Sequence, residues 1–292
     1  MSYQNFKQKI WSKAIDRELE RVFVFADGTN QEYSGQIKGL GDTVRILGIG
    51  KPTVIEHDLI DGDITLDEVE KVADTSVSLV VDKAAYFNYG VGDIDKAQGA
   101  GNVMATLNTE SSEEVANKID LHIANLVHPD FNTVGVQKYS TSNTEIDKDN
   151  VMQIFDGVQQ KLYENDVNPA TPVEIILPPW LYMVFREAYQ KIDTDNSEYL
   201  TNGKVARYGN MTIKMSNNVA HKTIGAGQNA KEHYYVQVRT KRAIAVAMSD
   251  AHTEAYRPEK SFTDAVKGFK LYGAKIVRPK ELVCLECSLK EA

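Results

Sequence analysis

Histidine and cysteine, the residue types that most often carry metal or nucleophilic chemistry, are sparse in this sequence. There are six histidines and two cysteines, and no histidine stands in an HExxH arrangement or another metal-ligand spacing. Cys284 and Cys287 are three positions apart, so on a strand they point to opposite faces, and no second Cys or His pair follows. We interpret them as free thiols of a reducing compartment rather than half a zinc site, and we predict no metal.

Two loops could be mistaken for binding motifs. The stretch Gly39-Leu40-Gly41 lacks the third glycine of a dinucleotide loop, and no helical pattern follows it. Residues 57–68 have acidic residues and a glycine at some calcium-loop offsets, but His57 and Leu59 occupy positions that must be carboxylate or amide. No Gly-x-Ser-x-Gly, phosphate loop or Ser-x-x-Lys occurs. We predict no catalytic residue and no cofactor, although sequence leaves open a triad assembled from distant residues.

Composition narrows the class of protein. The chain has 292 residues, 42% of them hydrophobic and 25% charged, which is ordinary for a globular protein with a substantial core. Its net charge of −8 argues against a protein whose main task is to grip phosphate backbones. No run approaches the roughly 18 apolar residues of a membrane span, and no signal-peptide core is present, so we expect no membrane partner.

The elements of the first half differ in character. Residues 6–22 repeat apolar side chains at intervals of three to five among Lys, Glu and Arg, which predicts an amphipathic helix. Its apolar stripe either packs on its own domain or lies as an arm on a neighbouring subunit. In residues 33–60, five glycines and one proline punctuate β-branched pairs, which predicts a hairpin turning near residues 48–52. This hairpin has a thin core, so we expect a partner surface for it. Residues 77–91 predict a strand.

A helix follows that strand. Ser111 with Glu114 matches a capping box, Ser112 is a rival cap one residue on, and His128-Pro129 ends the periodic pattern. The predicted buried stripe is Val115, Ile119, Ile123, Leu126 and Val127. Further on, Asn150 is expected to cap a second helix, residues 172–177 to form a strand, and Pro179 to begin a third helix.

The last quarter contains two more strands. The apolar runs at residues 243–248 and 268–277 are separated by a charged, proline-containing connection at residues 254–260. Late strands need earlier partners, so we expect residues 77–91 to share their sheet, with an α/β insertion between the two halves. The predicted fold class is therefore α+β.

Three stretches resemble one known family closely. They are residues 77–98, with Asp82, Tyr86-Phe87, Asp93, Asp95 and Gln98; residues 202–219, beginning Asn202-Gly203-Lys204; and residues 254–279, with Glu254-Ala255-Tyr256-Arg257-Pro258-Glu259-Lys260. In these stretches the sequence resembles the major capsid proteins of tailed bacteriophages, of the Hong Kong 97 type. The resemblance runs from about residue 6 to residue 283.

The resemblance implies a Hong Kong 97-like capsid fold with a fixed domain plan. It implies an N-terminal arm at residues 1–32, an extended β-hairpin loop at 33–73 and a peripheral domain with a long spine helix at 74–134. An axial α/β domain at 135–242 and C-terminal strands at 243–292 that return to the peripheral domain complete it. Asp120 falls on the spine helix where the family commonly has an acidic residue.

The same resemblance implies a function without catalysis. The chain would assemble as pentamers and hexamers into an icosahedral shell that encloses double-stranded DNA, formed in the bacterial cytoplasm and found in the virion. We expect a separate scaffolding protein, since no scaffolding segment precedes the arm. A portal and a decoration protein are the other expected partners. Candidate inter-subunit residues are Ile10, Trp11, Ile15, Leu19, Arg45, Lys51, Arg257, Glu259 and Lys260. Some family members cross-link through a loop lysine, for which Lys38 and Lys51 are candidates.

Two alternatives remain open at this stage. A bacterial encapsulin would have the same fold and package enzymes instead of DNA. A soluble α+β enzyme or ligand-binding protein would need a pocket with convergent polar groups, and no motif indicates one.

Overall fold

This computed structural model describes residues 23–34, 42–49, 54, 74–92, 103–131, 135–139, 145–190, 207–225, 230–259 and 262–289. The helices are α1 (Val103–Ala124), α2 (Val151–Glu164) and α3 (Pro179–Gln190), with 3₁₀ turns at Asn125–Val127, Pro129–Phe131 and Pro279–Glu281. The strands are β1 (Thr43–Ile49), β2 (Asp74–Val80), β3 (Lys83–Gly92), β4 (Gln137–Tyr139), β5 (Glu145–Ile146), β6 (Val173–Leu177), β7 (Arg207–Tyr208), β8 (Met211–Met215), β9 (Ala220–Ile224), β10 (Lys231–Thr240), β11 (Ile244–Met248), β12 (His252–Tyr256), β13 (Thr263–Ile276) and β14 (Leu282–Leu289).

These strands form three sheets. An eight-stranded sheet has the order β4-β14-β10-β6-β8-β7, with β5 paired to β14 and β9 to β10. A four-stranded sheet has β13 at its centre, paired antiparallel with β3, β11 and β12. The pair β1–β2 forms the third, antiparallel sheet. The predicted α+β class is confirmed, and so is the sharing of one sheet by the early strand and the late pair.

The predicted strand at residues 77–91 is two strands with different partners. Its first part belongs to β2 and pairs with β1, while its second part belongs to β3 and pairs with β13 over ten residue pairs, from Thr263↔Gly92 to Tyr272↔Lys83. The prediction that the hairpin turns near residues 48–52 is wrong. Gly48 lies in β1, opposite Thr75, and the partner of β1 is β2. The positions of glycine and proline predict only local turns, so they did not predict that residues 43–49 pair with residues 74–80.

The spine helix begins earlier than predicted. Val103 starts α1, and the hydroxyls of Ser111 and Ser112 donate to the carbonyl oxygens four residues back, Leu107 and Asn108, at 2.6 and 2.8 Å. The capping box at Ser111 is therefore wrong, because these serines bond within the helix instead of starting it. Its predicted end at His128 and the burial of Val115, Ile119, Ile123 and Val127 are confirmed, whereas Leu126 is half-buried.

The middle helices follow the sequence pattern. The predicted stripe of α2 is buried, and Phe155 stacks on Phe185 of α3 with ring centroids 5.0 Å apart. Pro179 begins α3, as predicted. Asn150 is the N-cap of α2, but its side chain accepts from the amide of Asp147 and donates to the carbonyl of Glu145, so it closes the preceding turn and makes no cap hydrogen bond.

The C-terminal region divides between two sheets. Residues 244–276 form β11, β12 and β13 beside β3, as expected, although part of the predicted 254–260 connection is strand β12. By contrast, β14 pairs with β10 in the eight-stranded sheet, so it does not share the four-stranded sheet with β11, β12 and β13. Both cysteines lie on β14, unpaired and buried. Burial raises the pKa of Cys284 to about 12 and also raises the pKa of Cys287.

Candidate assembly site

A buried junction ties the N-terminal segment to the spine helix. The carboxylate of Asp120 on α1 accepts hydrogen bonds from the backbone amides of Val24 (2.7 Å), Phe25 (3.2 Å) and Ala26 (3.0 Å). Asp120 is only 3% exposed. Burial raises the pKa of Asp120, against the opposing effect of these three hydrogen bonds and of Arg239. We call residues 23–30 the junction segment.

The eight-stranded sheet holds the other side of the junction segment. Arg239 on β10 is fully buried and its Nη2 donates to the carbonyl oxygen of Phe25. Burial lowers the pKa of Arg239 to about 10, while the nearby carboxylates of Glu174, Asp120 and Asp27 act in the opposite direction. A buried guanidinium is tolerated only with such compensating negative charge.

A second cation completes the network. Lys214 on β8 lies 2.8 Å from Asp27 and 3.1 Å from Glu174. Burial alone would lower the pKa of Lys214, but the two carboxylates raise it. Gly28 approaches this network closely: a Cβ there would lie 1.6 Å from Oε2 of Glu174, so a larger residue would displace the Glu174 carboxylate.

The junction segment also reaches the four-stranded sheet. The amide of Asn30 donates to the carbonyl of Ile244, and the amide of Val246 donates to the carbonyl of Asn30, both at 2.9 Å. One short segment therefore contacts the spine helix and both larger sheets. This arrangement fixes the position from which residues 1–22 leave the described structure.

The base of the β1–β2 ribbon is anchored within the same chain. Val44, Ile46, Leu79 and Val81 form a small buried cluster with Ala245, Ala247 and Leu271 of the four-stranded sheet. The approach is close at Gly273, where a Cβ would lie 2.3 Å from the carbonyl oxygen of Val80. The predicted partner surface for this thin hairpin is, at its base, the chain's own sheet.

The predicted contact residues fall on two exposed places. Arg45 is exposed on β1, opposite Ser78. Arg257 and Glu259 are exposed in the connection after β12, where Arg257 lies 3.7 Å from Asp264. The structure does not bring the two places together, because they lie toward opposite ends of β13. Ile10, Trp11, Ile15, Leu19, Lys51 and Lys260 are outside the described residues, as are Lys38 and the predicted helix at 6–22.

Sequence reasoning missed several residues of this site. Arg239, Glu174 and Lys214 each interrupt an apolar strand pattern, and a charge between buried neighbours was the available signal. Phe262, which follows Glu259 by three positions in the sequence, was not among the predicted contacts, and its side chain is 84% exposed. Isolated exposed aromatics are common, but one in a charged connection adds an apolar contact to a candidate interface.

No group of three or more His, Cys, Asp or Glu in the described part could hold a metal ion. Among the same residues, no helix is long and apolar enough to cross a membrane.

Solved structures share this fold. A structure from Mycobacterium phage Che8 has a TM-score of 0.68 at 22% identity, covering 90% of this chain and 90% of its own. A capsid structure of Cyanophage P-SCSP1u has a TM-score of 0.68 at 14% identity, covering 92% and 89%. A crystal structure of a virus-like particle from Pyrococcus furiosus has a TM-score of 0.58 at 15% identity, covering 96% and 99%.

The sequence matches no protein-family model and no curated protein. What the structural likenesses establish is the fold, which is the predicted Hong Kong 97-like capsid fold over nearly the whole chain.

Proposed function

We propose that this chain is a major capsid subunit that assembles as pentamers and hexamers into an icosahedral shell around the double-stranded DNA of a tailed phage. The observation that carries the proposal is the capsid fold, which this chain shares with the Cyanophage P-SCSP1u capsid over almost the whole length of both chains. No residue of the chain is assigned a catalytic role, since a shell subunit acts by contacts between copies.

The domain plan belongs to the same proposal. Residues 1–32 form the arm, 33–73 the extended loop, 74–134 the peripheral domain with α1 as its spine helix, and 135–242 the axial domain. Residues 243–276 return to the peripheral domain, while β14 completes the axial sheet. The junction segment joins arm, spine helix and both sheets through Asp120 and Arg239.

The exposed residues supply candidate contacts between copies. Arg257, Glu259 and Phe262 combine opposite charges and an apolar ring on one short connection, and Arg45 lies on the face of β1 that points away from the buried cluster. Heterologous contacts between two different patches of identical copies close into rings and shells. Six further predicted residues belong to the same proposal as contacts between copies: Lys51, Lys260, Ile10, Trp11, Ile15 and Leu19.

The charge of the chain fits a container rather than a DNA-binding protein. At a net charge of −8, the shell would enclose DNA without sequence-specific binding and without strong adhesion to its phosphates. We propose the virion as its final location and the host cytoplasm as the place of assembly, with a separate scaffolding protein, a portal and a decoration protein as partners.

Electron microscopy of the purified protein tests the proposal. Co-expression with the scaffolding protein of the same phage should give uniform closed shells, which elute at megadalton mass. A discrete small oligomer under those conditions would refute the shell function and favour a soluble binding protein or enzyme.

A second candidate is an encapsulin-type compartment shell. It is retained because the fold is shared with a virus-like particle from Pyrococcus furiosus over 96% of this chain and 99% of the other. The two candidates differ in content. Purified particles that contain phage DNA, or that need scaffolding protein, indicate a capsid. Particles that form from the chain alone and carry one co-purified enzyme indicate an encapsulin.

A further inference from the structure

Four buried polar atoms on the neighbouring strands β6 and β10 have no hydrogen-bond partner among the described residues. They are Nε and Nη1 of Arg239, Oε2 of Glu174 and Oε1 of Gln237. Arg239 is fully buried, and Gln237 is only 1% exposed. Such atoms are rare in native proteins, because a buried polar group that gives up its bonds to bulk water normally gains another partner.

The strand register places these side chains on one face of the eight-stranded sheet. Arg239 lies directly opposite Glu174 in the β10–β6 pairing, and Gln237 precedes Arg239 by two positions. This face is turned toward α1 and the junction segment. Nε2 of Gln237 donates to the carbonyl oxygen of Ile123 at 2.8 Å, which leaves its Oε1 as the available acceptor. Nη2 of Arg239 donates to the carbonyl oxygen of Phe25.

Direct pairing with acidic side chains does not satisfy the rest of the guanidinium. Three carboxylates are near enough to act on its charge, those of Glu174, Asp120 and Asp27. None of them accepts a hydrogen bond from Nε or Nη1. Water joins polar atoms that are too far apart to bond directly, since two hydrogen bonds of about 2.9 Å each span up to about 5.5 Å.

The charges around these atoms favour a neutral ligand. The three carboxyl groups are accompanied by two cations, Arg239 and Lys214. There is therefore no excess of positive charge to hold an anion, and the guanidinium would repel a metal cation. A buried water usually makes two to four hydrogen bonds to polar groups, as donor and as acceptor. The two nitrogens and two oxygens supply both kinds of partner.

We propose that at least two buried water molecules bind between β6 and β10 and join Nε and Nη1 of Arg239 to Oε2 of Glu174 and Oε1 of Gln237. Two are needed because Nε and Nη1 lie on different edges of the planar guanidinium. These waters hold the guanidinium in the orientation from which Nη2 binds Phe25, so they help to fix the junction segment on the sheet. The inference does not depend on the proposed shell function.

An experimental structure at a resolution that shows ordered water tests the proposal. Crystals of the subunit or assembled particles both serve, because the site is internal. We expect a water peak within about 2.7–3.2 Å of Nε and another within that distance of Nη1. Nitrogens that contact a carboxylate directly, with no water between, would overturn the proposal, and so would a bound ion at either place.

Nuclear magnetic resonance of the unassembled, ¹⁵N-labelled subunit gives a second readout. The Hε proton of Arg239 should show cross-peaks to water of opposite sign in NOE and ROE spectra, which indicates a long-lived neighbouring water. Loss of the signal in Arg239→Lys identifies it. The matched control is Arg257, whose side chain is 54% exposed and should show only exchange with solvent. An Arg239 signal that behaves like the Arg257 signal would contradict the proposal.

A substitution of one water ligand tests the assigned partners. Gln237→Met is of similar size and lacks Oε1, so its structure should keep one of the two water peaks and lose the other. Glu174→Gln retains an accepting oxygen and should keep both. If both peaks persisted unchanged in Gln237→Met, Gln237 would not be a water ligand and the proposed arrangement would be wrong.

Discussion

Replacing Asp120 with alanine should loosen the junction segment and destabilise the subunit. The change leaves three amides, of Val24, Phe25 and Ala26, without their acceptor and removes negative charge near Arg239. A buried donor left unsatisfied costs about 1–3 kcal/mol, so the three losses could reach several kcal/mol. Alanine also abolishes the cost of burying the carboxylate, the effect that raises the pKa of Asp120.

Balancing these effects, we expect Asp120→Ala to lower the free energy of unfolding by about 2–4 kcal/mol. Asp120→Asn keeps one accepting oxygen and should lie between alanine and the wild type. Urea denaturation of the unassembled subunit measures both, because assembly would add concentration-dependent stability. Hydrogen exchange should show faster exchange at the amides of residues 24–26.

The matched control is Glu113→Ala, an exposed position on the same helix. It should change stability by less than about 0.5 kcal/mol. If Asp120→Ala were equally silent and its amides stayed protected, the junction segment would not depend on Asp120 and the role assigned to it would be wrong.

Three further substitutions test an exposed candidate contact, the ribbon base and a buried histidine. Arg257→Glu should leave a folded subunit, since its exposed pair with Asp264 contributes at most about 1 kcal/mol, but should block shell formation by microscopy; normal particles would contradict this. Gly273→Ala forces backbone against backbone at the ribbon base and should cost about 1–3 kcal/mol in urea denaturation, whereas unchanged stability would show that the strands can separate there. Burial lowers the pKa of His122, which packs edge-on against Tyr272. Its stability contribution is therefore present above the ordinary pKa of 6.5 and lost as pH falls through the lower folded value, so His122→Phe should flatten the pH dependence of unfolding below 6.5; an identical slope would refute the assignment.

Local periodicity predicted the elements that bury one continuous apolar stripe. The α2 stripe is an example, because Val151, Ile154, Phe155, Val158 and Leu162 recur at helical spacing and are all buried. The pattern failed where a local signal had two uses. Ser111 and Glu114 match a capping box, yet eight residues of weakly patterned helix precede Ser111.

Pairing between distant strands was the other limit. Nothing in residues 43–49 specifies residues 74–80 as their partner, and Leu282–Leu289 is apolar enough to fit either large sheet. In the site, Asp120 was singled out by resemblance alone. Its function as an acceptor for three amides depends on a contact about 95 residues away along the chain, which no spacing rule encodes.

The position of the charges suggests that folding and assembly use different residues. Arg239, Glu174 and Asp120 sit among buried neighbours, where removing one partner leaves an uncompensated charge and damages the fold. Arg45 and Arg257 are exposed, so reversing them hardly affects the fold. A shell subunit needs this separation, because it must fold before it meets its neighbours. Substitutions in the first group should therefore lower the yield of soluble subunit, and those in the second should lower the yield of shells from a normal amount of subunit.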